Sequence, residues 1–430
     1  MKKNIIFTTI LSFISTVVFA NRFPQPDFQS GYVFPEQYFF TPNEALWSYI
    51  DIFLLVALMG FVAWAVIKKQ IRWPVIVTSI ISIAYFGFFR YGCICSVGSL
   101  QNVAVSLVGG VEIPLFVLLL FILPIVFTLF FGRVFCAGVC PLGALQEIVN
   151  IKNYQLSKTV TGVLSVFPWI YLGFAVLFAI THSGFIICRY DPFVGIFRLG
   201  GPFPLMLFGV ILLVFSVFTG RPFCRFICPY GAILSVFSRF SFYQVKITKK
   251  ECNNCELCHN ACPVDAIRPP YENKVKESRS EGVKRILRYL VFLPLMIVAG
   301  AITMSLMSDR LSRMNENVRL YHAVVEHQAN PQPTQSLKLE AFFGQEVKTV
   351  NDLFVASEII KSDFRRFSRI IGGFLGLVIG LTLIGLSTKR TRKIYGVDDA
   401  NCICCGRCFS YCPQNGLVMS SETTCSRDIP

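Results

Sequence analysis

The segment GRVFCAGVCPLGA, residues 132–144, returns further along the chain as GRPFCRFICPYGA, residues 220–232. Both copies share the frame Gly-Arg-x-Phe-Cys-x3-Cys-Pro-x-Gly-Ala, and each follows a run of about twenty apolar residues. Two cysteines three residues apart with a proline behind them also end C-x2-C-x2-C-x3-C-P, the pattern in which bacterial ferredoxins bind [4Fe–4S] clusters. The repeated segment therefore indicates iron–sulfur chemistry beside apolar helices.

The complete ferredoxin pattern occurs twice later in the chain. The first run consists of Cys252, Cys255, Cys258 and Cys262, followed by Pro263. The second run consists of Cys402, Cys405, Cys408 and Cys412, followed by Pro413. With the repeated segment, twelve of the 17 cysteines have cluster-type spacings, which argues against a disulfide framework. The two runs predict two [4Fe–4S] clusters.

Composition places the chain in a membrane. Of its 430 residues 54% are hydrophobic and only 15% are charged, which is too apolar for an ordinary soluble fold. The net charge of +15 fits an excess of Lys and Arg in cytoplasmic loops, so we expect lipid and not nucleic acid as the partner.

The chain opens with the features of a secretory signal peptide. Residues 1–20 have a basic start, an apolar centre and small residues at the end, which predicts cleavage after Ala20. An uncleaved membrane anchor is the alternative. Residues 21–47 then form a periplasmic leader.

Hydropathy predicts about seven transmembrane helices, near residues 48–67, 73–89, 113–131, 160–180, 202–219, 286–306 and 370–387. With the N-terminus outside, the inner loops and the tail hold 24 Lys and Arg, against 4 in the leader and the two short outer loops. The positive-inside rule therefore favours a multi-pass protein of the bacterial inner membrane with its C-terminus in the cytoplasm.

This topology puts both ferredoxin runs on the cytoplasmic side, although two spans separate them. In a two-cluster ferredoxin the fourth cysteine of each run binds the other cluster. We therefore expect Cys412 to join the first three cysteines of the first run, and Cys262 to join those of the second. The predicted domain halves are residues 241–285 and 388–430, and the periplasmic loop 307–369 lies within the hairpin that interrupts them.

The transmembrane core, residues 48–240, is itself predicted to be duplicated, because CICSVGSLQNV at 93–103 echoes CPLGALQEI and CRYDPFVG at 188–195 echoes CRFICPYG. The inner face then carries four thiolates, enough for a further iron–sulfur centre. They belong to Cys136, Cys140, Cys224 and Cys228. A disulfide or packing cysteines are the alternatives at this face.

The outer face carries a smaller set. Cys93, Cys95 and Cys188 leave one position open, which Asp191 fills in a candidate metal site, with another cofactor or a disulfide as the alternatives. Redox centres on both faces would make the protein a transmembrane electron conduit.

Other polar residues give weaker patterns. Cys255 to His259 matches the c-type haem pattern C-x-x-C-H, but the surrounding cysteine spacing favours a cluster. Cys404 and Cys425 fit no site, and His322 and His327 are expected to be surface residues. A quinol site needs a proton acceptor, and the candidates near span ends are Asp51, Glu112 and His182. No catalytic residue is predicted.

The paired GRxFCxxxCPxGA segments, CICSVGSLQNV, CRYDPFVGIFRLG and the two ferredoxin runs resemble the NosR/NapH membrane polyferredoxins, and most closely the NosR type of nitrous oxide respiration. The resemblance implies a quinol donor and a periplasmic acceptor, nitrous oxide reductase or a flavoprotein. Larger members carry a flavin-binding domain ahead of the first span. Only residues 21–47 occupy that place here, so no covalent flavin is expected.

The predicted fold is an all-α polytopic membrane protein with a duplicated core and a split, ferredoxin-like α+β domain binding two [4Fe–4S] clusters in the cytoplasm. The predicted function is electron transfer between the quinol pool or the cytoplasm and a periplasmic acceptor. The alternatives are a maturation factor that reduces copper or a disulfide for a metalloenzyme, and a redox-sensing membrane regulator.

Overall fold

The computed structural model of the chain describes residues 44–92, 96–110, 112–248, 252–271, 279–329, 350–387, 392–413 and 417–420. The predicted signal peptide, almost all of the predicted leader, and Cys93, Cys95 and Cys425 lie outside the described residues.

The first part of the described chain is helical. Its helices are α1 (Glu44–Trp64), α2 (Trp73–Ser82), α3 (Ser96–Gly109), α4 (Leu115–Phe131), α5 (Pro141–Val149), α6 (Lys158–Leu164), α7 (Phe167–Ile180), α8 (Ile186–Tyr190), α9 (Pro192–Phe197), α10 (Phe203–Phe218), α11 (Pro222–Phe226) and α12 (Pro229–Phe237). Tighter or wider turns, Ala65–Lys69, Ile83–Phe89 and Phe135–Val139 (π-helical) and Ser238–Phe240 (3₁₀-helical), extend or link these helices.

Four helical segments among the described residues are long and apolar enough to cross a membrane, namely Leu46–Lys69, Lys158–Ile180, Ser280–Ser312 and Leu353–Ser387. Each contains one of the seven predicted spans. The other three predictions coincide with shorter apolar helices, Trp73–Phe89, Leu115–Phe131 and Phe203–Phe218, which have fewer than the roughly twenty residues of a typical span. Four spans are therefore supported by length and composition.

The region 90–112 was expected to be a loop, and the structure instead contains α3 there. This helix packs against α4 and α7, with Val97 and Leu100 buried. Its sequence mixes serine, glycine and glutamine with the apolar residues, so its hydropathy does not mark a span. Its buried face lies over the cysteine sites described below.

The later helices form a long hairpin. It consists of α14 (Arg279–Ser312), α15 (Glu316–Ala329) and α16 (Val350–Ser387). Glycines let α14 and α16 approach closely: a Cβ atom on Gly372 would lie 2.6 Å from the Cβ of Met304. At about 1.5 Å per residue, α16 is roughly 57 Å long, almost twice the hydrocarbon thickness of a bilayer. The predicted span 370–387 is therefore only its C-terminal half.

The two predicted ferredoxin halves fold as one α+β unit. The first half contains β1 (Gln244–Ile247), α13 (Leu257–Ala261) and β2 (Ile267–Arg268), and the second contains β3 (Gly396–Val397), α17 (Arg407–Tyr411) and β4 (Leu417–Ser420). Strand β1 pairs antiparallel with β4, and β2 pairs antiparallel with β3. Because each sheet takes one strand from each half, the hairpin interrupts a single small domain.

The main hydrophobic core surrounds the cysteine-bearing turns. Met59 of α1 and Val66 of the π-helical turn that follows α1 belong to it, together with Phe135 and Leu142 of the first copy of the repeat and Tyr230 of the second. The same core includes the buried side chains of Cys140, Cys228 and Cys404. The helices therefore hold these thiols in an apolar environment.

Candidate iron–sulfur sites

Both copies of the repeat end in the same local structure. The backbone of Cys140 is extended and Pro141 opens α5, and Cys228 stands in the same way before Pro229 and α12. Proline fits the first helical turn because its missing N–H would have no partner there. The Sγ of Cys228 accepts a hydrogen bond from the Gly231 amide at 3.3 Å. The second cysteine of each copy is therefore fixed at a helix N-terminus, a position that stabilises a thiolate.

The structure brings the four cysteines of the repeat together. Burial raises the pKa of Cys140 far above its usual range, and the charges of Cys224, Cys136 and Cys228 raise it further. Burial also raises the pKa of Cys224, to about 11. Cys140 and Cys228 are buried and Cys136 and Cys224 are half-buried, so these neighbouring thiols can become thiolates together only beside compensating positive charge.

Two observations test whether this inner set fits an iron–sulfur cluster. Arg133 is only 6% exposed, its Nη2 lies 3.9 Å from the Sγ of Cys136, and its Nε has no hydrogen-bond partner. A buried guanidinium with a spare N–H suits an anionic group such as a thiolate-bound cluster. Among the described residues, no three His, Cys, Asp or Glu side chains have the spacing of a single-ion site. In a cluster each thiolate binds its own iron, so a wider spacing is appropriate.

A glutamine supports a cysteine in both parts of the core. The buried Gln146 accepts a hydrogen bond from the Phe223 amide at 3.0 Å and donates to the Sγ of Cys224 at 3.5 Å. The buried Gln101, at the matching position of the echo segment, accepts from the Ile187 amide at 3.0 Å, directly before Cys188. Neither glutamine was identified from the sequence, although both segments share the pattern Gly-x-Leu-Gln.

The ferredoxin cysteines form two groups that draw on both halves of the domain. The pKa of Cys258 is raised to about 11 by burial and by the nearby charges of Cys255, Cys412 and Cys252. The pKa of Cys262 is raised to about 12 by burial and by Cys405, and more weakly by Cys402. Burial raises the pKa of Cys408, the charges of Cys405, Cys402 and Cys262 raise it further, and Cys258 of the first run has a smaller effect. Cys412 thus lies with the first run and Cys262 with the second.

The second of these groups lies against the membrane core. The buried residues Val264, Ala266 and Ile403 form a small apolar cluster whose neighbours are Cys136, Cys262, Cys402 and Cys405. Arg133 also donates to the Ala400 carbonyl at 3.1 Å, and Arg225 pairs with Asp265 at 3.0 Å. Both copies of the repeat therefore contact the ferredoxin domain. By contrast, Cys255 of the first group is exposed.

Three arginines converge on Glu147, whose side chain is only 9% exposed. Its Oε1 is 2.7 Å from Arg407 and 2.9 Å from Arg72, and its Oε2 is 3.0 Å from Arg221. Burial raises the pKa of Glu147, but the charges of Arg221, Arg407 and Arg72 together bring it below its usual range. This network joins both copies of the repeat to the second ferredoxin half. No pattern in the sequence identified Glu147.

At the candidate outer site the described residues are Cys188 and Asp191. Cys188 is exposed, and a Cβ atom on Gly98 would lie 3.0 Å from its Sγ. Asp191 is 5% exposed and caps α9 by accepting a hydrogen bond from the Phe193 amide at 2.9 Å. Burial raises its pKa to about 6. A small apolar cavity of about 20 Å³ is lined by both Asp191 and Cys140.

The remaining candidates have ordinary surroundings. Asp51 is fully buried, accepts a hydrogen bond from the Tyr85 hydroxyl at 2.9 Å and pairs with Arg90 at 2.7 Å. Glu112, His182 and His322 are exposed, and the side chain of His327 lies outside the described residues. The Nδ1 of His259 contacts the Ile267 carbonyl, so this ring already has a backbone partner.

Comparisons with known proteins support the iron–sulfur assignment. A family model described as a 4Fe-4S binding domain matches residues 113–153 and again residues 201–250, each of which contains one copy of the repeat. A second model with the same description matches residues 245–268. No solved structure matches the chain significantly.

Three curated relatives each match between a third and under half of the chain. The uncharacterised protein MJ0750 of Methanocaldococcus jannaschii is 33% identical over 189 residues, which are 42% of this chain and 77% of that protein. The regulatory protein NosR of Stutzerimonas stutzeri is 35% identical over 156 residues, 33% of this chain and 21% of NosR. The ferredoxin-type protein NapH of Haemophilus influenzae is 27% identical over 183 residues, 41% of this chain and 60% of NapH. The match thus spans about a fifth of NosR.

Apolar helices long enough to span a bilayer, cysteine turns in an apolar core and 4Fe-4S domain matches together define a membrane-bound iron–sulfur protein. The chain belongs to the NosR/NapH-type membrane polyferredoxins, which confirms the resemblance of its motifs.

Proposed function

We propose that this protein transfers electrons through iron–sulfur clusters between the cytoplasmic face of a membrane and an acceptor on the other side. The grouping of cysteines from both ferredoxin runs carries the proposal, because runs separated by the hairpin meet in one domain. A ferredoxin-type cluster supplies one-electron transfer when it is bound. The protein's own work is to hold the thiolates and exclude water from them.

Two [4Fe–4S] clusters are assigned to the ferredoxin domain. One is held by Cys252, Cys255, Cys258 and Cys412. The other is held by Cys402, Cys405, Cys408 and Cys262. The crossed pattern of two-cluster ferredoxins supports this division, as does the mutual effect of these thiols on their pKa values.

A third centre is assigned to the membrane core, held by Cys136, Cys140, Cys224 and Cys228. The spare N–H of Arg133 and the bond from Gln146 to Cys224 supply donors for an anionic group there. The match of one family model to both copies supports an internally duplicated core. We place the seven predicted spans in this core and hairpin, with the C-terminus in the cytoplasm of a bacterial cell.

The conduit is completed by the outer site of Cys93, Cys95, Cys188 and Asp191. The contacts of Gly98 and Gln101 near Cys188 repeat those of Gly143 and Gln146 near Cys224, which supports a related site. Asp191 and Cys140, one residue from each site, line the same small cavity, which supports a connection between the two sites. Following the resemblance to NosR-type proteins, we infer a quinol donor and a periplasmic acceptor, nitrous oxide reductase or a flavoprotein.

Anaerobic iron and sulfide analysis with EPR spectroscopy tests the proposal. We expect about twelve iron atoms per chain from the ferredoxin and inner sites, and more if the outer site also binds iron. Replacing Cys136 and Cys224 by alanine should remove one signal and about four irons. Replacing Cys93 and Cys188 should affect only a separate outer signal. Cys425→Ala is the control, because this cysteine fits no predicted site.

The crossed division makes a sharper prediction within the same experiment. Cys258→Ala and Cys412→Ala should abolish one ferredoxin signal, and Cys408→Ala and Cys262→Ala should abolish the other. The contrary result is that the wild-type protein and all variants of the repeat and of the outer set contain the same two clusters. That result would confine iron to the ferredoxin domain and refute the conduit.

A further inference from the structure

Arg221 is a fully buried arginine that reaches from one copy of the repeat into the other. Its backbone is left-handed, with φ of 50°, at the residue before α11. Its guanidinium contacts the Cys136 carbonyl and donates to the Ala137 carbonyl at 2.7 Å. Its Nε donates to Glu147 at 3.0 Å. The positive charge is therefore fixed in place by three partners outside its own segment.

One face of this guanidinium lies at the inner cysteine set. A Cβ atom on Gly143 would lie 3.2 Å from the Nη1 of Arg221 and 3.5 Å from the Sγ of Cys224, so the two groups border the same point. Burial raises the pKa of Cys224, and the charge of Arg221 opposes that rise more strongly than any other neighbour. Arg221 therefore favours the anionic form of this set.

The same charge also acts on the neighbouring ferredoxin group. Arg221 shares Glu147 with Arg407, which follows Cys405 by two residues. The pKa of Cys405 is raised by burial and by Glu147, while Arg221 and Arg407 lower it. Cys405 and Cys136 pack on the same small apolar cluster. Arg221 thus lies within electrostatic reach of both cysteine groups.

A guanidinium keeps its proton in proteins, so this charge is permanent. Reduction adds one negative charge to a centre, and a nearby positive charge in an apolar interior stabilises that reduced state. A charge shared by two centres moves both potentials in the same direction. Where the two shifts are of similar size, the difference between the two potentials, which drives electron transfer from one centre to the other, changes little.

We propose that Arg221 is a positioning residue that sets the reduction potentials of two centres together. The inner centre is bound by Cys136, Cys140, Cys224 and Cys228. The ferredoxin centre is bound by Cys402, Cys405, Cys408 and Cys262. This inference rests on the proposed function, because both centres must be present. Glu147 holds the guanidinium in place and offsets part of its charge.

Two further arginines provide matched comparisons. Arg133 lies 3.9 Å from Cys136 and acts on the inner set. Arg225 pairs with Asp265 and lies near Cys262; burial lowers the pKa of this arginine, and the charges of Asp265 and then Cys262 offset part of that shift. We therefore expect Arg133 to affect mainly the inner centre and Arg225 mainly the ferredoxin centre. Arg221 is the one of the three expected to affect both centres to a similar extent.

The test is an EPR-monitored redox titration of the purified, iron-loaded protein, with dithionite as the reductant. Arg221→Gln should shift both midpoint potentials downward, because it removes the positive charge. Arg221→Lys keeps the charge, so both midpoint potentials should stay close to their wild-type values. Arg133→Gln should shift the inner potential more than the ferredoxin potential, and Arg225→Gln should do the reverse. Arg319→Gln, on the exposed surface of α15, is the control and should shift neither.

Glu147→Gln provides a test in the opposite direction, and it applies even where Arg221→Gln does not load iron. Loss of the carboxylate leaves the arginine charges unbalanced, so both potentials should rise. The inference would be overturned if Arg221→Gln shifted only one midpoint potential. It would also be overturned if Arg221→Lys lowered both potentials as much as Arg221→Gln does. A wild-type protein with only about eight irons would instead refute the core centre of the proposed function.

Discussion

Gly132 packs directly on Cys404: a Cβ atom on this glycine would lie 2.6 Å from the cysteine Sγ. Gly220, the matching glycine of the second copy, packs in the same way on the Pro263 carbonyl. The first copy therefore contacts the second ferredoxin half, and the second copy contacts the first half. In both copies the absence of a side chain on the glycine lets the ferredoxin domain approach. The following arginines differ, because Arg133 bonds to the Ala400 carbonyl of that domain, whereas Arg221 bonds to the first copy of the repeat.

Gly132→Ala should weaken this contact. The new methyl group would collide with Cys404, and Gly132 has a φ of 73°, which alanine adopts at a cost of about 1–3 kcal/mol. We expect a lower thermal midpoint and loss of iron from the ferredoxin domain first. Gly60→Ala is the matched control, because nothing lies within 4 Å of its added Cβ and Gly60 is within α1. Equal stability of the two variants would contradict the contact.

Cys404 tests the ligand assignment within one run. Its side chain is 5% exposed, and its hydrogen bond to Cys402 is the largest influence raising the pKa of that thiol. Cys404→Ala should keep its iron and lose only about 1 kcal/mol of stability, since a small buried group is removed. Cys405→Ala, one residue away, should lose about four irons. Iron analysis of the two proteins decides the assignment, and loss of a cluster from Cys404→Ala would overturn it.

Much of the architecture could be predicted from the sequence. The spacing of Cys252 to Cys262 and of Cys402 to Cys412 indicated one interrupted domain, and the pairing of β1 with β4 agrees with it. Hydropathy located all the long apolar helices. Hydropathy could not locate α3. This helix is buried between other helices, so its sequence can include polar residues and need not be uniformly apolar. The full length of α16 was also not predicted, because charged residues interrupt the apolar ones in its first half.

The site was predicted less completely than the fold. Cysteine and proline spacing marks ligands because it reflects local geometry within one turn. Glu147 and Gln146 support the ligands by charge and by hydrogen bonds. Neither belongs to a motif in the sequence, and both meet their partners only after folding. Arg133 and Arg221 were visible as part of the repeat, but their crossing between the copies depends on tertiary structure.

The two glutamines allow a prediction that separates stability from redox tuning. Gln146→Leu should leave the Phe223 amide buried without a partner, at a cost of about 1–3 kcal/mol, and should remove the donor to Cys224. We expect reduced stability and a lower potential of the inner centre. Gln101→Leu leaves the Ile187 amide unpaired in the same way and should have a similar cost. A shift of the inner EPR potential in Gln101→Leu would contradict this division.

Close packing of the hairpin can be tested on two neighbouring glycines of α16. A Cβ atom on Gly376 would lie 3.0 Å from the Cα of Ile297 and still closer to the Met296 carbonyl. Gly376→Ala should therefore separate α14 from α16 and cost about 1–3 kcal/mol. At Gly373 the nearest atom is 3.6 Å away, so Gly373→Ala should be neutral or stabilising. Thermal unfolding in detergent compares them, and equal destabilisation would argue against glycine-mediated packing.

Arg407 is the link by which the second ferredoxin half reaches the Glu147 network. It is 8% exposed and bonds Glu147 at 2.7 Å and Asn150 at 2.8 Å. Arg407→Gln should cost about 2–3 kcal/mol, since hydrogen bonds between charged, buried groups are lost. Arg72→Gln is the matched control, because Arg72 binds the same oxygen but is 22% exposed, and it should cost about 1 kcal/mol or less.

The pH dependence of this link follows from the direction of the pKa shift. Although burial alone would raise it, the charges of the three arginines bring the pKa of Glu147 below its ordinary range. A carboxyl with a lowered pKa contributes its full stability above its unfolded value and loses it as the pH falls through the folded value. Denaturant unfolding at pH 7 and below pH 4.5 should therefore show the difference between wild type and Arg407→Gln shrinking on acidification. A difference that grows at low pH would show that Arg407 stabilises the domain without Glu147.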